Sequence, residues 1–69
     1  MELRWEDDFK IRVGIHKNEV TVSANRDGLL SLANHLLALA EEASGSHIHL
    51  DQYNSLEDGS VELIVEKID

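Results

Sequence analysis

The chain has 69 residues with 14 Asp and Glu against 6 Lys and Arg, a formal net charge of −8, and no cysteine. Phosphate contacts need clustered Lys and Arg, and a negative field repels polyanions, so nucleic acid and anionic membranes are excluded and a basic protein is the natural partner. A chain this short forms one domain, residues 1–69, that buries only about 60% of its unfolded surface, with neither a disulfide nor a thiolate metal cage to help.

The opening Met1-Glu2-Leu3-Arg4-Trp5-Glu6 lacks the basic start and apolar run of a signal peptide, which makes the cytoplasm the expected compartment. Leu3 and Trp5 alternate with charged residues and Asp7-Asp8 can turn the chain, leaving room for a short strand over residues 2–6. Phe9, Ile11, Val13 and Ile15 then alternate with Lys10, Arg12 and Gly14, the pattern of a half-buried strand. His16 to Glu19 reads as a turn, and Val20 and Val22 alternate with polar residues in a second strand that closes an antiparallel hairpin.

From Leu29 the period changes to 3.6, with Leu29, Leu32, Ala33, Leu36, Leu39, Ala40 and Ala43 at helical spacings. Asn25 is a suitable N-cap, Asp27 complements the positive end of the helix, and Gly45 is the expected C-cap. Leu30 and Leu37 widen the apolar stripe, which suits a helix roofing a sheet, with His35 on its polar flank. The stretch from Leu29 to Ala43 is too short and too interrupted by polar residues to span a bilayer.

His47-Ile48-His49-Leu50-Asp51 alternates again, giving a third strand with Ile48 and Leu50 inward. Gln52 to Gly59 carries turn chemistry in Asn54, Ser55, Asp58 and Gly59, and Val61 to Ile68 reads as the last strand, with Val61, Leu63 and Val65 toward the core. Connections too short for parallel crossovers imply an α+β fold of order ββαββ, an antiparallel sheet of four strands, or five with residues 2–6, covered on one face by a single helix. The other face stays open.

That open face carries the candidate sites. His47, His49 and Asp51 project together and are ligand types that zinc accepts, but polar alternation on a solvated strand produces the pattern unaided and no spacing motif accompanies it, so no metal or other cofactor is assigned. His16 and His35 supply no evident third ligand. Asp7-Asp8, Glu41-Glu42 and Glu57-Asp58 have the residue types for acid–base work, yet all look exposed and a single helix leaves no room for a walled cleft. Gly14, Gly28, Gly45 and Gly59 are isolated, and no nucleophile–base pair is evident, so the protein is read as a binder and not an enzyme. Tyr53 in a polar loop is a candidate contact aromatic, while Trp5 suits the core or a sheet edge.

Two stretches carry a family resemblance: Ser23-Ala24-Asn25-Arg26-Asp27-Gly28-Leu29-Leu30-Ser31-Leu32-Ala33 with His35-Leu36-Leu37, and His47 to Asp51 through Asn54-Ser55-Leu56-Glu57-Asp58-Gly59-Ser60 to Glu62-Leu63-Ile64. Together they resemble the immunity protein 32 family of bacterial polymorphic toxin systems, over roughly residues 19–68. The resemblance implies a small cytoplasmic protein that binds a cognate toxin domain and blocks it, with no catalytic residues to carry over. An acidic surface would steer toward a basic toxin, of which a nuclease is the simplest.

The expected interface is the Gln52 to Gly59 loop with Tyr53, Glu57 and Asp58, extended over the open face by His49, Asp51, Glu62 and Glu66. The alternative is a homodimeric structural or regulatory module in which Ile64 and Ile68, two isoleucines among carboxylates, bury against a second copy.

Overall fold

A computed structural model describes all residues, 1–69. Two strands, β1 (Ile11–His16) and β2 (Glu19–Ala24), precede one helix, α1 (Arg26–Ala40), and two further strands follow it, β3 (His47–Leu50) and β4 (Leu63–Glu66). The fold is α+β, as expected, and both pairings are antiparallel. The four strands nevertheless form two separate two-stranded sheets, β1-β2 and β3-β4, in place of the expected single sheet.

The reason lies along the outer edge of β1. Glu57 N–H donates to the Ile11 carbonyl at 2.9 Å and Val61 N–H to the Val13 carbonyl at 2.9 Å. The Val13 N–H is taken by the Ser60 hydroxyl at 3.1 Å. The loop therefore occupies the edge where β4 would have joined the first hairpin. It also shortens the last strand, which starts at Leu63 and leaves Val61 outside the ladder.

Residues 2–6 add no strand, and β1 starts at Ile11 and not at Phe9. The amino-terminal segment runs across α1 instead. Glu6 N–H donates to the buried Ser31 hydroxyl at 2.8 Å, and the Trp5 ring sits between Phe9, 4.4 Å away, and His35, met edge-on at 4.1 Å. Ile11, Val13, Leu50 and Leu56 form the centre of the core, with Trp5, Phe9, Ala24, Leu32 and Leu63 packed around them.

The helix starts as its sequence predicts. Asn25 caps it, the side-chain oxygen accepting from Gly28 N–H at 2.7 Å. The same oxygen accepts from Lys10 N–H at 3.0 Å, and the side-chain amide donates to the Asp8 carbonyl at 2.8 Å. The helix ends earlier than expected, with Glu41 at its C-cap. Gly45 lies beyond it in a left-handed turn at φ +91°, where a side chain would be strained. The terminal carbonyls are satisfied from a distance, since Lys67 Nζ donates to Ala40 O at 2.8 Å and to Glu42 O at 2.7 Å.

The largest departure from expectation is the rotation of α1 about its axis. Its buried residues are Gly28, Ser31, His35 and Leu39, whereas Leu29, Leu30, Leu36 and Leu37 face solvent. Gly28 explains the choice, because a Cβ there would stand 2.5 Å from the Lys10 carbonyl and 3.0 Å from Ala24 Cβ and from Ile11 Cγ1. Only a glycine face lets the helix approach the hairpin this closely. His35, expected on the polar flank, is fully buried against Trp5.

Both His35 ring nitrogens are buried without a hydrogen-bond partner. Burial holds its pKa below the ordinary value of 6.5, an effect offset in part by the nearby Arg4 backbone. The charged imidazolium is thus favoured in the unfolded chain, so the folded state is fully stabilised above pH 6.5 and loses stability as pH falls below it toward the lowered value. Thermal unfolding followed from pH 7 to pH 5 should show a falling midpoint, and His35→Phe, which keeps an aromatic ring against Trp5, should flatten that fall. An equal slope in the variant would place the acid sensitivity elsewhere.

Asn25→Ala should cost about 2 kcal/mol, from a lost cap and an unpaired Lys10 N–H. Asn25→Asp keeps the acceptor and should cost about half of that; urea denaturation of both variants measures the difference.

Candidate functional site

The β3-β4 register sets His47 opposite Glu66 and His49 opposite Ile64. Side chains alternate across a strand, so these four share one face, and all four are exposed, as the sequence predicts. His49 Nε2 lies 3.2 Å from Glu62 Oε2 and 3.7 Å from Asp51 Oδ2, making His49 the hub of a small polar cluster. His47 stands apart from it. No group of three His, Asp or Glu side chains is placed to hold a metal ion.

The loop after β3 is built by its own side chains. Asp51 Oδ1 accepts from Tyr53 N–H at 2.9 Å and from Asn54 N–H at 3.0 Å. Asn54 returns the contact, its side-chain oxygen accepting from Asp51 N–H at 3.0 Å and its amide donating to the His49 carbonyl at 3.0 Å. Gln52 closes the far end by accepting from Gly59 N–H at 3.0 Å. Asp51 is therefore a turn-forming residue as well as a surface charge. The loop holds Tyr53 out in solvent at 89% exposure.

Beside this face opens a groove of about 510 Å³ lined by Leu3, Trp5, Phe9, His49, Leu50 and Asn54. The sequence singles out His49 from this set and assigns Trp5 to the core or an edge. Trp5 does both jobs, one side of its ring packing on His35 and the groove opening beside it. The signal that was available is the concentration of all but one of the aromatic residues, Trp5 and Phe9, in the amino-terminal segment. An apolar floor next to the His49, Asp51 and Glu62 cluster gives a partner's side chain a place to bury its stem while its charge meets carboxylates.

Glu57 sits elsewhere, beside Lys10 and Arg12 in a second shallow groove of about 450 Å³ that also touches Ser23 and Asn25. Asp58, Glu62 and Glu66 are exposed. Ile64 and Ile68, the candidate self-association residues, are exposed as well, Ile64 within the β3-β4 face and Ile68 beyond the end of β4.

The β3-β4 hairpin and its flanks thus carry the carboxylates Asp51, Glu62 and Glu66 beside an aromatic groove. The family model for immunity protein 32 matches residues 19–68, that is β2, α1, β3, β4 and the loops between them. The chain belongs to that family. Neither a curated protein nor a solved structure shows significant similarity to it. No helix is long and apolar enough to cross a membrane.

Removing the Asp51 side chain should loosen the loop. Asp51→Ala is expected to cost about 1 kcal/mol through two lost side-chain hydrogen bonds, with Asn54 N–H keeping only its 3.3 Å bond to the Asp51 carbonyl, and amide exchange at Tyr53 and Asn54 should quicken while the β1-β2 hairpin stays protected.

Proposed function

We propose that this protein neutralises a cognate bacterial toxin domain by binding it stoichiometrically in the cytoplasm, through the acidic face of the β3-β4 hairpin and its loop. The observation that carries this reading is how charge is distributed along the chain. Residues 41–69 hold eight of the 14 carboxylates against Lys67 alone, whereas residues 9–40 hold Lys10, Arg12, Lys17 and Arg26 against Glu19 and Asp27. Residues 41–69, which contain the proposed face, are thus strongly acidic, and residues 1–8 add Glu2, Glu6, Asp7 and Asp8 against Arg4, while the stretch between them is mildly basic.

A concentrated negative surface accelerates encounter with a basic partner and fixes its orientation, while buried aromatic contacts set the lifetime of the complex. Tyr53 and the Trp5 and Phe9 groove supply the aromatic part. His49, Asp51, Glu62 and Glu66 supply the polar rim, and Asp58 adds an exposed carboxylate from the loop, while Glu57 lies in the separate groove beside Lys10 and Arg12. A nuclease domain, whose cleft must be positive to hold phosphates, is the toxin this surface fits most simply.

The test is to express the tagged protein with the product of its neighbouring gene and recover the complex. A one-to-one complex with a toxin domain is expected. Glu62→Lys with Glu66→Lys should then slow association about tenfold at low salt, an effect that shrinks as salt rises. Tyr53→Ala should act on dissociation instead. Association and dissociation rates unchanged in both variants would remove this face from the interface.

A further inference from the structure

Four residues of α1, Leu29, Ala33, Leu36 and Ala40, fall on one stripe of the helix surface. All four are exposed, and Leu30 and Leu37 flank them, Leu37 at 69% exposure. No charged residue interrupts the helix between Asp27 and Glu41. This apolar side is opposite the buried Gly28, Ser31 and His35 side and takes no part in the core. It also lies outside the carboxylate-rich half of the chain to which the toxin reading assigns contact.

We infer that this face of α1 is a self-association surface, on which a second copy of the chain docks as an antiparallel helix pair about a two-fold axis. The order of side chains is the first argument. A two-fold axis passing midway between Asn34 and His35 sets Leu29 of one copy level with Ala40 of the other, and Ala33 level with Leu36. Each large residue meets a small one, the self-complementarity that a symmetric interface requires.

The ends of the helices agree with this register. It brings Arg26, whose nearest charged partner is the adjacent Asp27 at 3.6 Å, toward the carboxyl end of the other helix. Glu41 is exposed there, and a cation beside a helix carboxyl terminus is favoured. The antiparallel arrangement thus offsets part of the repulsion between two acidic chains.

Surface area is the third argument. The chain exposes 4997 Å², whereas a folded monomer of 7.8 kDa is expected to expose about 4,400 Å². The excess of about 600 Å² per copy is shared between α1 and exposed apolar residues elsewhere, such as Ile15, Val20 and Ile68, and it leaves room for a pair that buries up to about 1,200 Å², the lower bound of specific interfaces.

Sedimentation equilibrium of the full chain tests this. A species of twice 7.8 kDa is expected, with self-association at least about tenfold weaker in Leu36→Glu, which places a carboxylate in the seam. Circular dichroism should show the variant folded, since Leu36 is outside the core. Ala33→Leu separates a shaped seam from general stickiness: it adds apolar surface but collides with Leu36 of the second copy, so it should weaken the pair. Ile64→Glu, on the β3-β4 face, should leave the pair intact.

A wild-type chain that stays monomeric at millimolar concentration, tighter association in Ala33→Leu, or dissociation by Ile64→Glu would each overturn the inference. A monomer whose toxin binding is lost in Leu36→Glu would also overturn it, by giving this face to the toxin.

Discussion

Asn25 is the constraint around which the molecule is arranged. Its side-chain oxygen receives two backbone donors, Gly28 N–H from the helix and Lys10 N–H from the approach to β1, and its amide reaches back to Asp8. Its own N–H donates to the Lys10 carbonyl at 3.1 Å. A single residue thus caps α1 and fixes where the helix begins relative to the hairpin and the amino-terminal segment. Once that corner is set, Gly28 faces the Lys10 carbonyl at a distance no larger residue tolerates, and the rotation of the helix follows.

From that rotation comes the composition of the core. The buried face of α1 offers Ser31 and His35, so the segment laid over it must supply a donor and aromatic surface, which Glu6 N–H and Trp5 do. A leucine face turned inward would have needed no such segment. The amino-terminal residues are therefore part of the core although they form no strand, and they also provide the apolar floor of the groove beside His49. At the opposite end, Lys67 ties the carboxyl end of α1 to the strand that closes the second hairpin. Long-range polar contacts at both ends of the helix do the joining that a continuous sheet would otherwise do.

Much of this was legible in the sequence, and the part that was not has a common cause. Alternation gave β1, β2, β3 and most of β4, and the Asn25 cap marked the start of α1, because these are local signals with local physical origins. The exposed face bearing His47, His49, Ile64 and Glu66 follows from alternation alone. What alternation and helical period do not encode is which element lies next to which. The stripe of leucines looks like a core face by every local criterion, and only the close approach at Gly28 turns it outward. The single four-stranded sheet fails for the same reason, since it is the loop bonds from Glu57 and Val61 to β1 that keep the hairpins apart. His35 reads as a polar-flank residue because its partner, Trp5, is distant in sequence, and the bond from Lys67 to the end of α1 has no local signal for the same reason.

The resulting surface divides into two chemically different halves, and the division is a consequence of the fold. Carboxylates crowd the second hairpin and its loop, where they are solvated and held apart by a loop whose side chains bond to its own backbone. Leucines crowd the outer side of α1, which the Gly28 contact turns away from the hairpins. An acidic face draws a basic partner over a distance of about a Debye length, whereas an apolar face acts only at contact and is indifferent to the partner's charge. The polar corner at Asn25 sets where α1 begins and the Gly28 contact sets its rotation, so the apolar and the acidic side chains come to lie on different parts of the surface.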